Sequence, residues 1–312
     1  MASAEPLEKN ASVNLLRDWT DGASKQRIVD FVTKITNQSD PSYLPVEDRI
    51  AVFDNDGTLI CEKPAFFQIL FVHDAAVQDA AKHPEWQNDP KIKSFLDAKG
   101  DQILKFHGME SMRLGAQCWS GQTVEEFEQE ATKWLETARH PKFDKPYQEL
   151  IYKPVVELVD YLRANKFKVY MCSGGTTYFI RCYSKHAYGM ERDEIIGSNV
   201  KLEFKDDVKS SVLTGLPDIS LYNVGADKPV SIYDHIGKRP VIAVGNSNGD
   251  MGMLEFTTDT NRPSLGILIH HDDPVREYAY DKGAEAALKA VGDHHWLVVS
   301  MKDDFKSVFS FQ

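Results

Sequence analysis

Short β-rich runs that alternate with helical patterns constrain the fold of this 312-residue chain more than any other feature. The run at 49–53 (R-I-A-V-F) is buried in character and is stopped by a tight acidic turn. Comparable runs follow at 168–171, 241–244, 265–269 and 297–299. Strands that alternate with helices at these lengths predict a parallel, doubly wound sheet with helices on both faces.

The segment 64–146 differs in character, because it carries helical patterns and no convincing strand. Thr123 and Glu126 have the spacing of a capping box and predict the start of one of its helices. We therefore expect an α/β protein whose core, a Rossmann-like doubly wound parallel sheet, comprises residues 46–63 and 147–312. An inserted all-helical cap domain is expected over 64–146, spliced in after the first strand.

Residues 1–45 are expected to form an N-terminal helical arm that packs on the core. Apolar residues recur at helical spacing within 24–35, which predicts its helix. Beyond the cap, the patterns predict helices around 155–164, from Thr176, at 228–236 and near Asp250, and a β-hairpin between Val200 and Leu213.

The composition of the chain limits the kinds of partner that it could bind. Asp and Glu total 47 against 36 Lys and Arg, a net charge of −11 that disfavours a nucleic acid partner. No apolar run approaches the roughly 20 residues that span a bilayer, so no membrane insertion is expected. Four scattered cysteines and a polar start at residues 1–10 suit the cytoplasm, and a periplasmic or secreted enzyme is the alternative if an export signal has been removed.

Three polar turns follow predicted strands at points where the chain would reach one edge of the sheet. They are D-N-D-G-T at 54–58, S-G-G-T at 173–176 and G-N-S-N-G-D at 245–250. In an open α/β sheet, ligands bind beyond the carboxyl ends of the strands. We therefore expect the polar side chains of these turns to share one site.

The residue types in these turns suit phosphate and metal chemistry. Asp54 and Asp56 could bind Mg²⁺, or one of them could attack phosphorus. Ser173 and the glycine amides after it could hold phosphate oxygens at a helix start. Asn246 and Asp250 add metal ligands or their supporting acceptors. Lys228 is the best placed lysine to hold phosphoryl charge; the other candidates are Lys201, Lys205 and Lys209.

The ordered set D-N-D-G-T-L at 54–59, C-S-G-G at 172–175, Lys228 and G-N-S-N-G-D at 245–250 resembles the four motifs of the haloacid dehalogenase-like superfamily. The chain is most similar to the phosphoserine-phosphatase-like branch, which carries a helical cap between the first and second motifs. The resemblance covers residues 47–270, and the four motifs in order are far more specific than any one alone.

The resemblance implies a hydrolase that cleaves a small-molecule phosphomonoester through an aspartyl phosphate. Asp54 would be the nucleophile, and Asp56 would protonate the leaving oxygen and then activate water. Ser173, the Gly174 amide and Lys228 would fix the phosphoryl oxygens. Mg²⁺ would be held by the Asp54 carboxylate, the Asp56 main-chain carbonyl and the Asn246 side chain, with Asp250 close by.

One departure from the family pattern concerns the metal. The family usually has Asp where this chain has Asn246, so a negative charge is missing and the cation is expected to bind more weakly. Dehalogenases of the superfamily lack this second acid, so the presence of Asp56 favours phosphoryl transfer over cleavage of a carbon–halogen bond. A phosphotransferase or mutase on the same core is an alternative function, and a non-catalytic phosphate or metal binder is another.

Two further groups have competing interpretations. Glu62, just past the first motif, could select the substrate, or it could form an exposed ion pair with Lys63. The sequence H-H-D-D at 270–273 invites a zinc site, but an Asp that caps a helix before Pro274 is the preferred interpretation, with a peripheral role for His270. The expected partner is a small phosphorylated metabolite, and oligomeric state is left open.

Overall fold

A computed structural model describes residues 16–207 and 210–312 of the chain. Residues 1–15 of the predicted arm and Lys209 lie outside the described residues. In the described part, seven strands form one sheet: β1 Ile50–Phe53, β2 Lys168–Thr176, β3 Ile195–Asp207, β4 Ser210–Leu221, β5 Ile242–Gly245, β6 Leu265–His270 and β7 Leu297–Ser300. Their order is β4-β3-β2-β1-β5-β6-β7, and all pairs are parallel except β3 with β4. The predicted α/β class is confirmed.

The register of the central strands places the ends of β1 and β5 beside the middle of β2. Phe53, the last residue of β1, lies opposite Met171 in β2 and Val244 in β5. All four residues of β1 are buried, as are those of β5, because helices cover both faces of the sheet. The polar turns after β1 and β5 therefore emerge side by side, as predicted, whereas β2 continues past them to Thr176.

Helices cover the sheet and form a separate group above one edge. Those described are α1 Ala23–Thr36, α2 Phe67–Asp79, α3 Pro90–Leu96, α4 Gly108–Trp119, α5 Val124–Thr137, α6 Lys153–Ala164, α7 Thr177–Arg181, α8 Ser184–Tyr188, α9 Asp227–Ile236, α10 Met251–Thr258 and α11 Glu285–His294. Helix α1 agrees with its prediction to within one residue and buries Ile28, Val32 and Ile35 in the main core. No helix in the described ranges combines the length and apolarity needed to cross a bilayer.

Residues 64–146, called the helical segment here, contain α2–α5 and no strand. The predicted capping box is present: Glu126 N donates to Thr123 Oγ1 at 3.1 Å, and Thr123 N donates to Glu126 Oε2 at 2.9 Å. The segment is joined to β4 by backbone hydrogen bonds, Gly121 N to Gly215 O at 3.0 Å and Gly215 N to Gln122 O at 2.9 Å. The antiparallel hairpin of β3 and β4, predicted but longer than expected, thus reaches the helical segment.

The second motif lies in a strand and not in a turn before a helix. Strand β2 continues to Thr176, and α7 begins one residue later. Its pairing with β3 shifts there, because Cys172 lies opposite Ile196 whereas Thr176 lies opposite Ser198. The extra residues form a bulge, a feature that redirects a strand locally. The helix α11 was also not predicted, although its sequence E-A-A-L-K-A-V suits a helix.

Candidate active site

The first acidic turn is held in place by its own backbone. Asp54 N donates to Val244 O at 2.8 Å, which continues the pairing of β1 with β5 into the turn. The Asn55 carbonyl accepts hydrogen bonds from the N–H groups of residues 58–60 at 2.7–3.1 Å. Asp54 and Asp56 both line the same cavity at the carboxyl edge of the sheet. The turn thus presents two carboxylates, two residues apart, on one wall.

Lys228 bridges two of the predicted carboxylates. Its Nζ lies 2.7 Å from Asp54 Oδ1 and 2.6 Å from Asp250 Oδ1, and the residue is only 2% exposed. Burial alone would lower the pKa of Lys228, but the Asp250 and Asp54 carboxylates outweigh burial and raise it. The ammonium therefore stays charged, and it is positioned beside the predicted nucleophile.

Both oxygens of Asp250 are engaged by the protein. Oδ1 accepts from Lys228, and Oδ2 accepts from Asn246 N at 3.0 Å, Ser247 N at 2.9 Å and Ser247 Oγ at 3.0 Å. A carboxylate with four such partners has little capacity left for a metal ion. In this structure, Asp250 holds the fourth motif, residues 245–250, and Lys228 in position.

The site carries more negative than positive charge. Asp54 and Asp250 both contact the Lys228 ammonium, and Asp56 lines the same cavity. Burial, together with the Asp250 carboxylate, raises the pKa of Asp54 even though Lys228 opposes the shift. Burial also raises the pKa of Asp56 to about 6. A site of this kind gains stability when another cation enters it.

Asn246 meets the requirements of a metal ligand better than Asp250 does. Its Nδ2 is buried and has no hydrogen-bond partner in residues 16–207 and 210–312, and its Oδ1 accepts one hydrogen bond, from Thr58 Oγ1 at 3.1 Å. The Nδ2 group is a donor and cannot bind a cation, but Oδ1 accepts only one hydrogen bond and keeps a lone pair that could. Nowhere in the described residues do three His, Cys, Asp or Glu side chains converge to hold a metal. The ligands that the family resemblance implies, Asp54, the Asp56 carbonyl and Asn246, include only one side-chain carboxylate.

Ser173 and Gly174 occupy different positions relative to the cavity. Gly174 lines it, whereas Ser173 is fully buried beside it. The Ser173 hydroxyl accepts a hydrogen bond from Gly175 N at 3.0 Å, and its carbonyl accepts one from Asn223 Nδ2, also at 3.0 Å. The hydroxyl keeps its own proton to donate, as the predicted phosphate contact requires.

The cavity above these residues has a volume of about 380 Å³ and lies between the sheet edge and the helical segment. Glu62, the predicted selector of substrate, lines it and is paired with Lys63 at 2.9 Å. Glu62 is only 8% exposed, so the pair is not the exposed one considered from the sequence. Cavities of this size suit small molecules.

The other charged candidates lie away from this cavity or outside the described residues. Lys201 is exposed, the Lys205 Nζ lies 3.7 Å from Glu203, and Lys209 is not described. His270 Nε2 hydrogen-bonds Asp281 Oδ1 at 2.8 Å at the surface.

In the sequence H-D-D after β6, one Asp accepts backbone hydrogen bonds as a capping residue would, but it does so in a turn. Asp273 Oδ1 accepts from Val275 N and Arg276 N, both at 3.0 Å. The residues after Pro274 form a turn and not a helix. Asp272 accepts from Lys302 N at 2.9 Å and from Ser300 Oγ at 2.5 Å, which ties the turn to the last strand. The expectation of a capped helix was therefore wrong, because the backbone turns at Pro274 and does not continue.

Comparison with known proteins decides the family. A sequence model of the haloacid dehalogenase-like hydrolases matches residues 51–255, well over half of the chain and all four motifs. The protein belongs to the haloacid dehalogenase-like hydrolase family. No curated protein sequence matches the chain.

Two solved structures with TM-scores of 0.50 or above share this fold at low identity. A conserved functionally unknown protein from Anaerococcus prevotii DSM 20548 superposes with a TM-score of 0.54 at 12% identity, over 88% of this chain and 91% of that one. A protein with unknown function from Bordetella pertussis Tohama I gives 0.50 at 12% identity, over 80% and 97%. A phosphoserine phosphohydrolase-like protein from Francisella tularensis subsp. tularensis SCHU S4 gives 0.43 at 15%, over 82% and 95%.

A buried hydrogen-bond network supports the first motif of this haloacid dehalogenase-like hydrolase from below. His271 Nε2 lies 2.8 Å from Gly57 O, and His271 Nδ1 lies 3.3 Å from Glu277 Oε2. Glu277, which is fully buried, also accepts from Tyr152 Oη at 2.9 Å and Cys61 Sγ at 3.2 Å. No periodic pattern in the sequence links these residues, and the role expected for His270 belongs instead to its neighbour His271.

Replacing Glu277 with glutamine is expected to lower the free energy of unfolding by about 2–3 kcal/mol, since charged hydrogen bonds to a buried group are lost. Burial alone would raise the pKa of Glu277, but the hydrogen bond and charge of His271 outweigh it and lower the pKa. Because the pKa of Glu277 is lower in the folded state than in the unfolded state, its carboxylate stabilises the fold at pH values above the unfolded-state pKa. This stabilisation disappears in acid, so at pH 7 the glutamine variant loses all of it. Denaturant titration at pH 7 measures it.

Asp281→Asn is the matched control, because Asp281 also pairs with a histidine but its side chain is 67% exposed. Its effect is expected to stay within about 0.5 kcal/mol. Equal effects of the two variants would show that the buried network has no special role.

Gly57 allows the first and fourth motifs to approach each other. Its φ is +78°, and an added Cβ would lie 2.1 Å from Asn246 Nδ2. Gly57→Ala is therefore expected to displace Asn246 and to reduce both stability and activity. Gly237→Ala is the control, since Gly237 has φ +73° but nothing within 4 Å of an added Cβ. We expect Gly57→Ala to lower the midpoint of thermal unfolding clearly more than Gly237→Ala does. Equal decreases would mean that backbone strain alone is responsible.

Proposed function

We propose that the protein is a Mg²⁺-dependent phosphatase that hydrolyses a small phosphomonoester through an aspartyl phosphate on Asp54. The observation that carries this proposal is that Asp54 and Asp56 line one cavity in which Lys228 already contacts the Asp54 carboxylate at 2.7 Å. A nucleophile, an acid two residues away and a buried cation are the groups that phosphoryl transfer requires.

In the first half-reaction, a carboxylate oxygen of Asp54 attacks phosphorus and the bond from phosphorus to the ester oxygen breaks. Lys228 contacts Asp54 through Oδ1, so Oδ2 is the oxygen that can attack. Asp56 gives its proton to the departing alcohol oxygen. Its pKa, raised to about 6 by burial, helps it to hold that proton near neutral pH.

In the second half-reaction, the Asp56 carboxylate takes a proton from water, which attacks the phosphorus of the aspartyl phosphate. The acyl phosphate bond breaks, and inorganic phosphate and the free Asp54 carboxylate are released. Lys228 balances the charge on the phosphoryl oxygens, and Ser173 and the Gly174 amide orient them. Mg²⁺, held by Asp54, the Asp56 carbonyl and Asn246, would supply positive charge that reduces repulsion between carboxylate and phosphate.

We further propose that the helical segment acts as a cap over this site. It supplies much of the cavity wall opposite the sheet edge, for example through Ile69, Met112 and Trp119. A site enclosed in this way selects small substrates and excludes bulk water during the reaction. A small phosphorylated metabolite fits such a site, and a net charge of −11 disfavours nucleic acid.

Release of p-nitrophenol from p-nitrophenyl phosphate tests the proposal. We expect turnover in the presence of Mg²⁺, loss of turnover after EDTA, and recovery when Mg²⁺ is restored. Purified protein without turnover on p-nitrophenyl phosphate and on acetyl phosphate would contradict a phosphatase function. Turnover that is unaffected by EDTA would contradict the metal dependence alone.

A further inference from the structure

The cavity has two chemically different ends. The polar end holds the four charged groups of the site, whereas the wall from the helical segment is largely apolar. Its polar side chains are hydrogen-bonded to the protein or exposed: Gln68 pairs with Thr176, Ser111 Oγ donates to Gly108 O, and His107 is exposed. That wall includes Ile69, Val72, Phe106, Met112, Trp119 and Phe127. Val200, Tyr222 and Val224 continue the apolar lining on the core side. Whatever leaves from the phosphorus must occupy the space between these surfaces.

Charged groups that could bind an ionic leaving group are either paired or exposed. Lys63 Nζ lies 2.9 Å from Glu62 Oε1 and 4.1 Å from the centre of the Tyr280 ring. The two charges therefore neutralise each other at the rim of the cavity. His107 and Lys282, the other ionisable residues outside the polar end, are exposed, and no arginine is among the described lining residues. An amino acid or a carboxylate in this wall would lack a partner charge.

A hydroxylated leaving group would meet the same difficulty. Sugar and glycerol hydroxyls lose their hydrogen bonds to water when they enter an apolar wall, and each unpaired polar group weakens binding. An apolar or aromatic group instead gains by leaving water, and the aromatic side chains Phe106, Trp119 and Phe127 offer it ring contacts. The volume of about 380 Å³ leaves room for such a group beside the phosphate.

We infer that the substrate is the phosphate monoester of an apolar or aromatic alcohol, with the alcohol portion enclosed by the helical segment. This inference rests on the proposed phosphatase function. It assigns the choice of leaving group to the apolar wall and leaves Glu62 and Lys63 as a neutral pair at the rim.

The test compares kcat/KM for 2-phenylethyl phosphate, glycerol 3-phosphate and phosphoserine at one Mg²⁺ concentration. All three are esters of primary alcohols, and glycerol is a more acidic alcohol than 2-phenylethanol, so a preference for the aromatic ester cannot come from a better leaving group. We expect kcat/KM for 2-phenylethyl phosphate to exceed that of either polar ester by about 10-fold or more. Equal or faster hydrolysis of glycerol 3-phosphate or phosphoserine would overturn the inference.

A pair of variants on α4 connects the preference to the wall. Met112 lines the cavity, whereas Met109 lies outside it on the same helix and is 41% exposed. Met112→Gln is expected to lower the ratio of kcat/KM between 2-phenylethyl phosphate and glycerol 3-phosphate several-fold, and Met109→Gln to keep the wild-type ratio. An unchanged ratio in Met112→Gln would contradict the assignment of this wall.

The failures of the two proposals are distinguishable in this experiment. If none of the three esters nor p-nitrophenyl phosphate is hydrolysed, the phosphatase function is wrong and the inference is wrong with it. If the polar esters are hydrolysed at least as well as the aromatic one, the phosphatase function stands and only the apolar leaving group is refuted.

Discussion

Replacing Lys228 with methionine is expected to lower the free energy of unfolding by about 3–5 kcal/mol, because the change leaves buried carboxylates without their cation. Lys228 is 2% exposed and contacts Asp54 and Asp250 at 2.7 and 2.6 Å. Methionine has a similar length, so the effect reports charge and not volume. Activity is expected to fall at least about 100-fold in the same variant, because the phosphoryl charge loses its partner. Denaturant titration and p-nitrophenol release measure the two effects.

Two comparisons keep this prediction testable. Lys238→Met removes a lysine whose partner Asp48 lies at 2.8 Å but whose own side chain is 45% exposed, and it is expected to cost at most about 1 kcal/mol. If Lys228→Met is too unstable to purify, adding Asp54→Asn removes one unpaired carboxylate and is expected to restore part of the stability. A Lys228→Met variant as stable as Lys238→Met would contradict the proposed role of the buried ammonium.

Replacing Asp54 with asparagine is expected to reduce kcat by about 10⁴-fold or more, because the amide has no oxygen able to form the acyl phosphate. The fold should survive, since Asn is nearly isosteric and Lys228 keeps Asp250. Burial and the Asp250 carboxylate raise the pKa of Asp54, so the folded state disfavours the ionised form of this carboxyl. The fold therefore loses stability as the pH rises through that pKa and Asp54 ionises. The neutral Asn variant is therefore expected to be at least as thermostable as wild type at pH 8 in EDTA.

Asp56→Asn separates the two half-reactions. p-Nitrophenolate leaves without needing a proton, so this variant should still release about one equivalent of p-nitrophenol rapidly and then stall, because no base activates water. Asp54→Asn should show no such burst. An Asp54→Asn enzyme with a wild-type rate, or a burst in both variants, would contradict the assignment of Asp54 as nucleophile.

The sequence predicted the parts of the fold that depend on local pattern. The strands β1, β5, β6 and β7 are short apolar runs bounded by turn residues, and each was predicted to within one residue. The meeting of Asp54, Lys228, Asn246 and Asp250 followed from the parallel sheet, because the carboxyl ends of neighbouring strands share one edge. The site could therefore be predicted because the parallel topology of the sheet could be predicted.

What the sequence did not reveal depends on contacts between distant residues. Gly57 and His271 are 214 positions apart, and neither belongs to a pattern that links them. Glu277 lies in an irregular loop that is buried only because Tyr152 and Cys61 face it. The sequence also did not show that Asp250 is a structural carboxylate and not a metal ligand. Only its four hydrogen bonds in the structure show that its oxygens are already occupied.

The extra length of β2 also has a nonlocal cause. Ser173, Gly174 and Gly175 have the composition of a turn, and local propensity favours one. Pairing with β3 keeps them in the strand, because Ser198 Oγ donates to Gly174 O at 2.8 Å and accepts from Asn223 N at 2.9 Å. Tertiary hydrogen bonds thus override the local preference at the second motif.

Chemical trapping of the phosphoenzyme tests the central claim most directly. Protein mixed with p-nitrophenyl phosphate and Mg²⁺ is quenched with acid, and the peptide that contains residues 50–60 is examined by mass spectrometry with and without borohydride reduction. We predict the mass gain of one phosphoryl group on this peptide, and conversion of Asp54 to homoserine after reduction. Active enzyme that carries the phosphoryl group on another residue, or that shows no homoserine at Asp54 in an Asp56→Asn background, would contradict the account.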